Sequence, residues 1–251
     1  MTTVDLNADM GESFGPWKMG DDTALLDVIS SANIACGFHA GDPDVMAATM
    51  ARAVANDVGI GAHPGFPDLQ GFGRRKMAMD HDAIAHMVQY QLGAAQAMAR
   101  ATGGHVRHLK LHGALSNMAM VDGELARRAY DAALTVDPDI IIMVLAATPM
   151  QEAAEALGCR MACEIFADRG YNDDGTLIQR GQPGAMITDA EAAAERISEM
   201  VREGAIIASS GHRIETRIDT ICLHGDEPSA VNAARVLRTR LEADGISISR
   251  F

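Results

Sequence analysis

The sequence predicts an α/β protein, an irregular (β/α) barrel formed as one domain over residues 1–251. Short apolar runs alternate with longer amphipathic segments from end to end, which is typical of parallel strands joined by crossover helices. The length suits a barrel built as a single unit. Polar side chains also gather where the apolar runs end, as they do at the functional face of a barrel. An open, doubly wound sheet is the alternative.

The predicted elements follow one another in strict alternation. Strands are predicted at residues 4–9, 32–38, 58–63, 106–112, 139–145, 160–166 and 218–224, with a weaker one at 205–209. Helices are predicted at residues 21–31, 43–57, 80–102, 122–136, 149–158, 188–203 and 228–244. Asp42-Pro43 and Thr148-Pro149 each supply an N-cap and a proline at the first helical position. Thr188 with Glu191 fits a capping box.

Composition argues against several classes of function. The chain has 34 acidic and 21 basic residues, a formal net charge of −13, whereas nucleic-acid binding depends on clustered Lys and Arg. No apolar run reaches the roughly 20 residues of a membrane span. The chain opens without a secretory pattern and its four cysteines are scattered, so we expect a cytoplasmic protein. No GxGxxG or P-loop motif marks a nucleotide cradle.

Side chains alternate between the two faces of a strand, and this alternation separates polar from apolar residues here. In "VDLNADMGE", Asp5, Asn7 and Asp9 share one face and Val4 and Leu6 the other. Uncompensated polar groups inside a parallel sheet cost about 1 to 3 kcal/mol each, so their presence needs a reason. The same parity groups further polar residues in later strands: Asn33 with His39, Gly61 with His63, His108 with Lys110 and His112, and Glu164 and His224.

The strand-end residues predict a single functional site. Four histidines are expected at the carboxyl ends of the parallel strands, together with Asp9, Lys110 and Glu164. The histidines are His39, His63, His112 and His224. The following loops are rich in glycine and charge, and four arginines in them are candidates to hold an anionic substrate: Arg74, Arg75, Arg169 and Arg180. Asn7, Glu12 and Asp42 are further candidate substrate-binding residues.

Six motifs in this order resemble the LamB/YcsF family, known as the A subunit of the prokaryotic 5-oxoprolinase: "LNADMGE", "ANIACGFHAGDP", "GAHPGFPD...GFGRR", "KLHGAL", "FADRGY" and "CLHGD". The resemblance runs from residue 4 to about residue 226. It implies a TIM-like barrel of the glycoside hydrolase/deacetylase type that works with two partner subunits, B and C. The assembly would open the lactam ring of 5-oxo-L-proline to L-glutamate, coupled to ATP hydrolysis. We expect the partners to handle ATP and to supply a phosphorylated lactam.

The reaction that the resemblance implies leads to a hypothesis about the roles of several candidates. His63 or Asp9 would act as general base on the attacking water, and Lys110 and His112 would stabilise negative charge. His39 or His224 would protonate the leaving nitrogen. Arg169 and the Arg74-Arg75 pair would hold a carboxylate or phosphate.

Two alternatives stay open. Asp9, His63 and His112 look like the Asp-His-His metal set of carbohydrate deacetylases, so a divalent metal and a deacetylase or other amide hydrolase activity are possible. Lys110 on the same face would place a positive charge near such a metal, which argues against it. The second alternative is a non-catalytic protein that binds a small molecule.

Overall fold

The computed structural model of the protein describes residues 2–223 and 230–251. Its strands are β1 (Thr3–Met10), β2 (Ser31–Ala35), β3 (Gly59–His63), β4 (Val106–Lys110), β5 (Ile141–Leu145), β6 (Met161–Phe166), β7 (Ala205–Ile207), β8 (Arg213–Glu215), β9 (Thr220–Leu223) and β10 (Ser247–Ile248). Strands β1 to β6 and β9 pair in parallel, and β9 contacts both β6 and β1. This closes a seven-stranded barrel, so the predicted fold is confirmed and the open-sheet alternative is wrong.

Helices surround this barrel. They are α1 (Asp22–Leu26), α2 (Pro43–Ala55), α3 (His81–Ala101), α4 (Gly113–Ala119), α5 (Gly123–Val136), α6 (Pro149–Leu157), α7 (Ala190–Glu203) and α8 (Ala230–Ala243). The predicted caps Asp42 and Thr148 are confirmed, because each side chain accepts a backbone N–H of the helix that follows. None of the helices in the described ranges is long and apolar enough to cross a membrane.

Several local predictions differ from the structure, among them the end of β2, which is Ala35 rather than residue 38. Strand β4 ends at Lys110 rather than residue 112, and the unpredicted helix α4 begins after His112. The helix predicted at 21–31 is only one short turn, α1. Asp189, not Thr188, caps α7, since its carboxylate accepts the N–H groups of Glu191 and Ala192. The weak strand at 205–209 is β7, which pairs with β8 in a hairpin outside the barrel.

The two faces of β1 have opposite environments, as the alternation of its residues predicts. Leu6, Ala8 and Met10 are fully buried in the apolar core between strands and helices. Burying a side chain as large as leucine stabilises the fold by about 1.5 to 3 kcal/mol. Asp5 and Asn7 are equally buried but face the barrel interior, where they bond to groups of neighbouring strands. The polar residues of β1 therefore have partners inside the barrel.

Those partners form a continuous network along the barrel axis. Asp5 accepts the hydroxyls of Ser31 and Thr220, while burial raises its pKa. Thr220 in turn accepts the side-chain amide of Asn7 at 2.7 Å. Asn33 donates to Asn7 Oδ1 at 2.7 Å and to an Asp9 oxygen at 2.9 Å. The network thus connects the amino-terminal end of β1 to the site at its carboxyl end and holds Asp9 in one orientation.

Gly61 makes room in this interior for a histidine. His108 Nε2 lies 2.8 Å from Asn33 Oδ1, and a Cβ at Gly61 would overlap the His108 imidazole. The missing side chain on β3 therefore lets His108 on β4 fill the barrel. The sequence predicts space beneath His63 at this glycine, and the structure shows that the ring of the neighbouring strand occupies it.

Candidate active site

A cavity of about 560 Å³ opens at the carboxyl ends of the barrel strands. Its inner wall contains Asp9 from β1, His63 from β3, Lys110 from β4 and His112 from the start of α4. The wall also includes Phe166 from β6. The predicted convergence of strand-end residues is therefore present in the structure. Apolar and titratable groups together enclose a volume that suits a small molecule.

Lys110 lies at the inner end of the cavity, only 5% exposed and between two carboxylates. Its Nζ is 3.0 Å from Asp9 Oδ1 and 2.8 Å from Glu164 Oε1, and it also lies 3.0 Å from Cys222 Sγ. Burial alone would lower the pKa of Lys110, but Asp9, Cys222 and Glu164 raise it well above its usual value. Lys110 is therefore a permanent cation that fixes one oxygen of Asp9 and leaves the other facing the histidines.

His63 and His112 face each other, and the partners of their other ring nitrogens select one tautomer for each neutral ring. His63 Nδ1 is 2.8 Å from the Lys110 carbonyl, and His112 Nε2 is 2.8 Å from the Phe72 carbonyl. A carbonyl only accepts hydrogen bonds, so each of these nitrogens holds the ring proton. His63 Nε2 and His112 Nδ1 then meet lone pair to lone pair at 3.1 Å. Burial and the neighbouring His63 lower the pKa of His112 to about 3, which keeps its ring neutral.

The loop after β3 builds the pocket for His112. Phe72 adopts a left-handed backbone with φ of 53°, which directs its carbonyl to His112 Nε2. Gly73 follows with φ of 61°, and a Cβ there would lie 2.7 Å from His39 Cβ and 2.8 Å from His112 Cδ2. A larger residue would push these rings apart. The "GFGRR" stretch therefore sets the tautomer of His112 and the spacing of two histidines.

His39 completes the histidine group from the loop after β2. Its ring stacks on His112 with centroids 3.6 Å apart, and its Nε2 lies 3.8 Å from Glu12 Oε1. Neither ring nitrogen makes a hydrogen bond to the residues the structure describes, although the side chain is fully buried. Burial, with His112 and His63 nearby, lowers the pKa of His39 well below its usual value. His39 is thus a neutral ring with unused nitrogens.

Cationic side chains line the outer part of the cavity. Arg74 lies over the Phe72 ring at 4.9 Å, and Lys76 and Arg180 line the same wall. Arg169 is 6% exposed and its guanidinium donates to the carbonyls of Ala185 at 3.1 Å and Ile178 at 2.6 Å. Burial lowers the pKa of Arg169, yet an arginine remains charged. This outer wall is suited to an anionic group.

The remaining candidates lie elsewhere. Asp42 caps α2 and also accepts the Gly15 N–H at 2.7 Å, and it does not line the cavity. The Arg75 guanidinium is turned away to Asp68, with its side chain 65% exposed. Asn7 and Glu164 lie beneath the cavity and contact Lys110. His224 falls outside the described residues.

Several cavity residues were not among the sequence candidates. Lys76 lies in a charged loop that the sequence marks, but loop charge alone does not tell which side chains turn inward; Arg180, one of the arginine candidates, also lines the cavity. Cys222 is on the inward-facing side of β9, so the alternation of residues in that strand could have identified it as a neighbour of Lys110. The Phe72 carbonyl gave none, because a backbone group that fixes a tautomer has no side-chain pattern.

A model of the LamB/YcsF family matches residues 4–251. The chain belongs to the LamB/YcsF family. Among curated LamB/YcsF relatives, the 5-oxoprolinase A subunit of Ruegeria pomeroyi is 66% identical over 100% of this chain and 99% of its own length. The 5-oxoprolinase A subunit of Azorhizobium caulinodans is 51% identical with the same coverage.

Solved structures also include proteins similar to this chain. The lactam utilization protein of Thermus thermophilus has a TM-score of 0.94 and 43% identity, and all of both chains is covered. A deacetylase solved with its substrate has a TM-score of 0.50 at 16% identity, over 99% of this chain and 88% of its own. At that identity the likeness shows a common fold only. The LamB/YcsF barrel is therefore related in architecture to deacetylase barrels.

Proposed function

We propose that this chain is the A subunit of a 5-oxoprolinase, a hydrolase that opens the ring of 5-oxo-L-proline to L-glutamate in an ATP-dependent assembly. Full-length relatives carry that name at 66% and 51% identity. The observation that carries the proposal is the cavity itself, where a buried Lys110–Asp9 pair and paired histidines lie beneath a cationic wall. Ring opening requires these two features, a water-activating centre and a place for an anion.

The assembly divides the chemistry between its chains. The lactam amide is unactivated, and phosphorylation of its oxygen would make the ring carbon electrophilic. Water would add to that carbon, the C–N bond would break as the nitrogen takes up a proton, and a second water would hydrolyse the resulting acyl phosphate to L-glutamate and phosphate. This chain carries no nucleotide-binding motif, so two partner subunits, B and C, would bind ATP and supply the activated lactam. The relatives are named as one lettered subunit of an enzyme, which supports an assembly of several chains. Arg74, Arg169 and Arg180 would hold the carboxylate or phosphate of the activated ligand.

The inner residues would activate water and move protons. Lys110 holds Asp9 Oδ1, so Asp9 Oδ2 points to His63 Nε2 at 3.3 Å. A water donating to these two acceptors would lose its proton to either as it attacks the ring carbon. The buried Lys110 ammonium would stabilise the negative charge that develops as the deprotonated water adds to the ring carbon. His112 is less suited to this last role than the sequence suggests, because its hydrogen-free Nδ1 is an acceptor and faces His63.

The proton for the departing ring nitrogen would come from His39 or from His224. His39 is neutral and lies against His112, so its single ring hydrogen is available near the reacting atoms. A transition metal bound by these histidines would supply a polarised water in place of general-base chemistry alone. The same residues therefore fit both forms of water activation.

Reconstitution tests the proposal directly. The chain would be mixed with purified partner subunits, ATP and 5-oxoproline, and glutamate would be measured. We expect Asp9→Asn to lower turnover by about 100-fold or more, as removal of a general base does. His86→Asn, on the exposed face of α3, is the matched control and should leave turnover unchanged. Absence of glutamate from a verified assembly of wild-type chains would overturn the proposal.

The paired histidines also favour a second candidate, ATP-independent amide hydrolysis of the deacetylase type. The chain alone, supplied with Zn²⁺ and an N-acetylated sugar, would release acetate if this candidate held. We expect no acetate, because the cavity carries a cationic wall suited to an anionic ligand. Acetate release without ATP or partners would favour deacetylase activity over the oxoprolinase.

A further inference from the structure

We infer that His63 and His112, together with His39 and Glu12, bind a divalent transition-metal ion at the inner end of the cavity. The inference deepens the proposed function and rests on it for the ion's place in the chemistry. Metal binding itself can be measured without the reaction.

The contact between His63 and His112 is the first indication of a bound cation. The carbonyls fix one ring hydrogen on each histidine, so in the neutral rings two lone pairs face each other at 3.1 Å. Two neutral lone pairs repel at that distance, and a cation bound by both nitrogens converts the repulsion into attraction. Backbone carbonyls that fix histidine tautomers in this way are typical of metal-binding histidines. The arrangement is therefore suited to a shared cation.

His39 supplies the second indication, because it is fully buried with two ring nitrogens unpaired in the described part of the chain. Leaving a buried polar nitrogen without a partner costs about 1 to 3 kcal/mol. Its Nε2 faces Glu12 Oε1 at 3.8 Å, too long for a hydrogen bond. A metal between the two atoms would give the His39 nitrogen a partner.

The four ligand atoms are also close enough together to share one ion. One atom from each of Glu12, His39, His63 and His112 lies within 4.8 Å of all the others. Two nitrogens at 2.0 to 2.1 Å from a tetrahedral zinc are about 3.4 Å apart, and 4.2 Å is roughly the upper limit for any geometry. To bring all four to bonding distance, the His39 ring would tilt out of its stacked position on His112 so that both lone pairs point at the ion. Three imidazoles and one carboxylate select Zn²⁺ or Co²⁺ over Mg²⁺.

This ligand set differs from the one expected from the sequence, which was Asp9, His63 and His112. Asp9 Oδ2 does lie 3.3 Å from His63 Nε2, but Oδ1 is held by Lys110. The Lys110 ammonium is paired with that same carboxylate and with Glu164, and these two negative charges offset its repulsion of the ion. Lys110, Asp9, Glu164 and Glu12 carry one positive and three negative charges, so a divalent ion would balance them. The lysine that argued against a metal is thus compatible with one.

Binding of Zn²⁺ and Co²⁺ to the chelator-treated full chain tests the inference. We expect one ion per chain by calorimetry, visible absorption bands with Co²⁺, and a raised thermal midpoint with Zn²⁺ but not with Mg²⁺. The double variant His63→Asn/His112→Gln should lose the Co²⁺ bands, and Glu12→Gln should weaken Zn²⁺ binding at least 10-fold. His86→Asn should bind as the wild type does. Circular dichroism of each variant confirms that it is folded, and Glu12→Gln keeps the test informative if the double variant is not.

The outcomes separate this inference from the proposed function. Equal Zn²⁺ binding by wild type and by both variants, or no binding by wild type, would overturn the metal site. Nitrogen NMR of labelled histidines in the Zn²⁺-treated protein would do the same if it showed a proton shared between His63 and His112. Glutamate formation by a chain that binds no Zn²⁺ would sustain the oxoprolinase function alone. Zn²⁺ binding without glutamate from the complete assembly would sustain the metal site alone.

Discussion

Lys110→Met should destabilise the barrel by about 3 to 5 kcal/mol, as breaking a buried ion pair does. The methionine roughly matches the lysine stem but removes the cation that lies within 3.0 Å of both the Asp9 and Glu164 carboxylates. Glu164 is 1% exposed, so its charge cannot be solvated without opening the barrel. For a chain of this size, the loss corresponds to a fall of roughly 6 to 20 °C in thermal midpoint.

Urea unfolding at several pH values measures this effect. The carboxylates left without Lys110 can relieve their repulsion by taking up a proton, so the deficit should shrink as pH falls from about 8 to about 5. The double variant Lys110→Met/Glu164→Gln removes one charge together with its partner and should recover part of the stability. His86→Asn provides the surface control.

A loss below about 1 kcal/mol, or one that does not depend on pH, would refute the reasoning. It would mean that water reaches Asp9 and Glu164 and that Lys110 is not needed to balance them. A double variant less stable than Lys110→Met would refute it as well, because the two carboxylates would then not be repelling each other.

Three further predictions rest on the same geometry. Burial lowers the pKa of His108 to about 3, below its value in an unfolded chain, so its contribution to stability is present above about pH 6.5 and is lost as pH falls toward 3. As pH falls through this range, the free energy of unfolding of the wild type should decrease more steeply than that of His108→Asn. The difference between the two slopes should reach about 1.4 kcal/mol per pH unit. Arg74→Ala should raise the KM of the assembly about 10-fold, because it removes a charged hydrogen bond to the ligand. Arg75→Ala should leave KM unchanged, because Arg75 binds Asp68 instead. Equal effects of the two substitutions would contradict the assigned positions. Gly61→Ala should lower the thermal midpoint, since a methyl group would overlap the His108 ring, and urea unfolding that matches wild type would show that the ring moves freely.

The sequence predicted the inward-facing residues well because a strand has a fixed period of two. Asn7, Asp9 and Lys110 were placed on the interior face by parity alone, and each has its partners there. Strand ends were less predictable. The leucine alternation in "HLKLHGAL" continues past Lys110, yet Gly113 with φ of 54° turns the chain into α4, a choice that depends on packing against Gly73.

Loop residues were the least predictable part of the site. Arg74 and Arg75 are adjacent and chemically identical, so no sequence pattern separates the one that lines the cavity from the one that binds Asp68. Asp42 was expected both to cap a helix and to bind substrate, and its carboxylate is occupied by the cap and by Gly15. Hydrogen bonds formed only after folding decide such cases.

One hydrogen-bond network connects the polar barrel interior to the site. Asp9 is oriented by Asn33 and Lys110, Asn33 is held by Asn7 and His108, and Asn7 rests on Thr220. Most polar groups buried in a barrel are hydrogen-bonded, and a connected network of this kind permits few alternative positions. The polar residues buried in successive strands therefore hold the proposed catalytic carboxylate of Asp9 in a fixed position. A site fixed in this way loses little free energy to reorganisation when an anionic ligand enters, which favours attack of a well-placed water on the activated lactam.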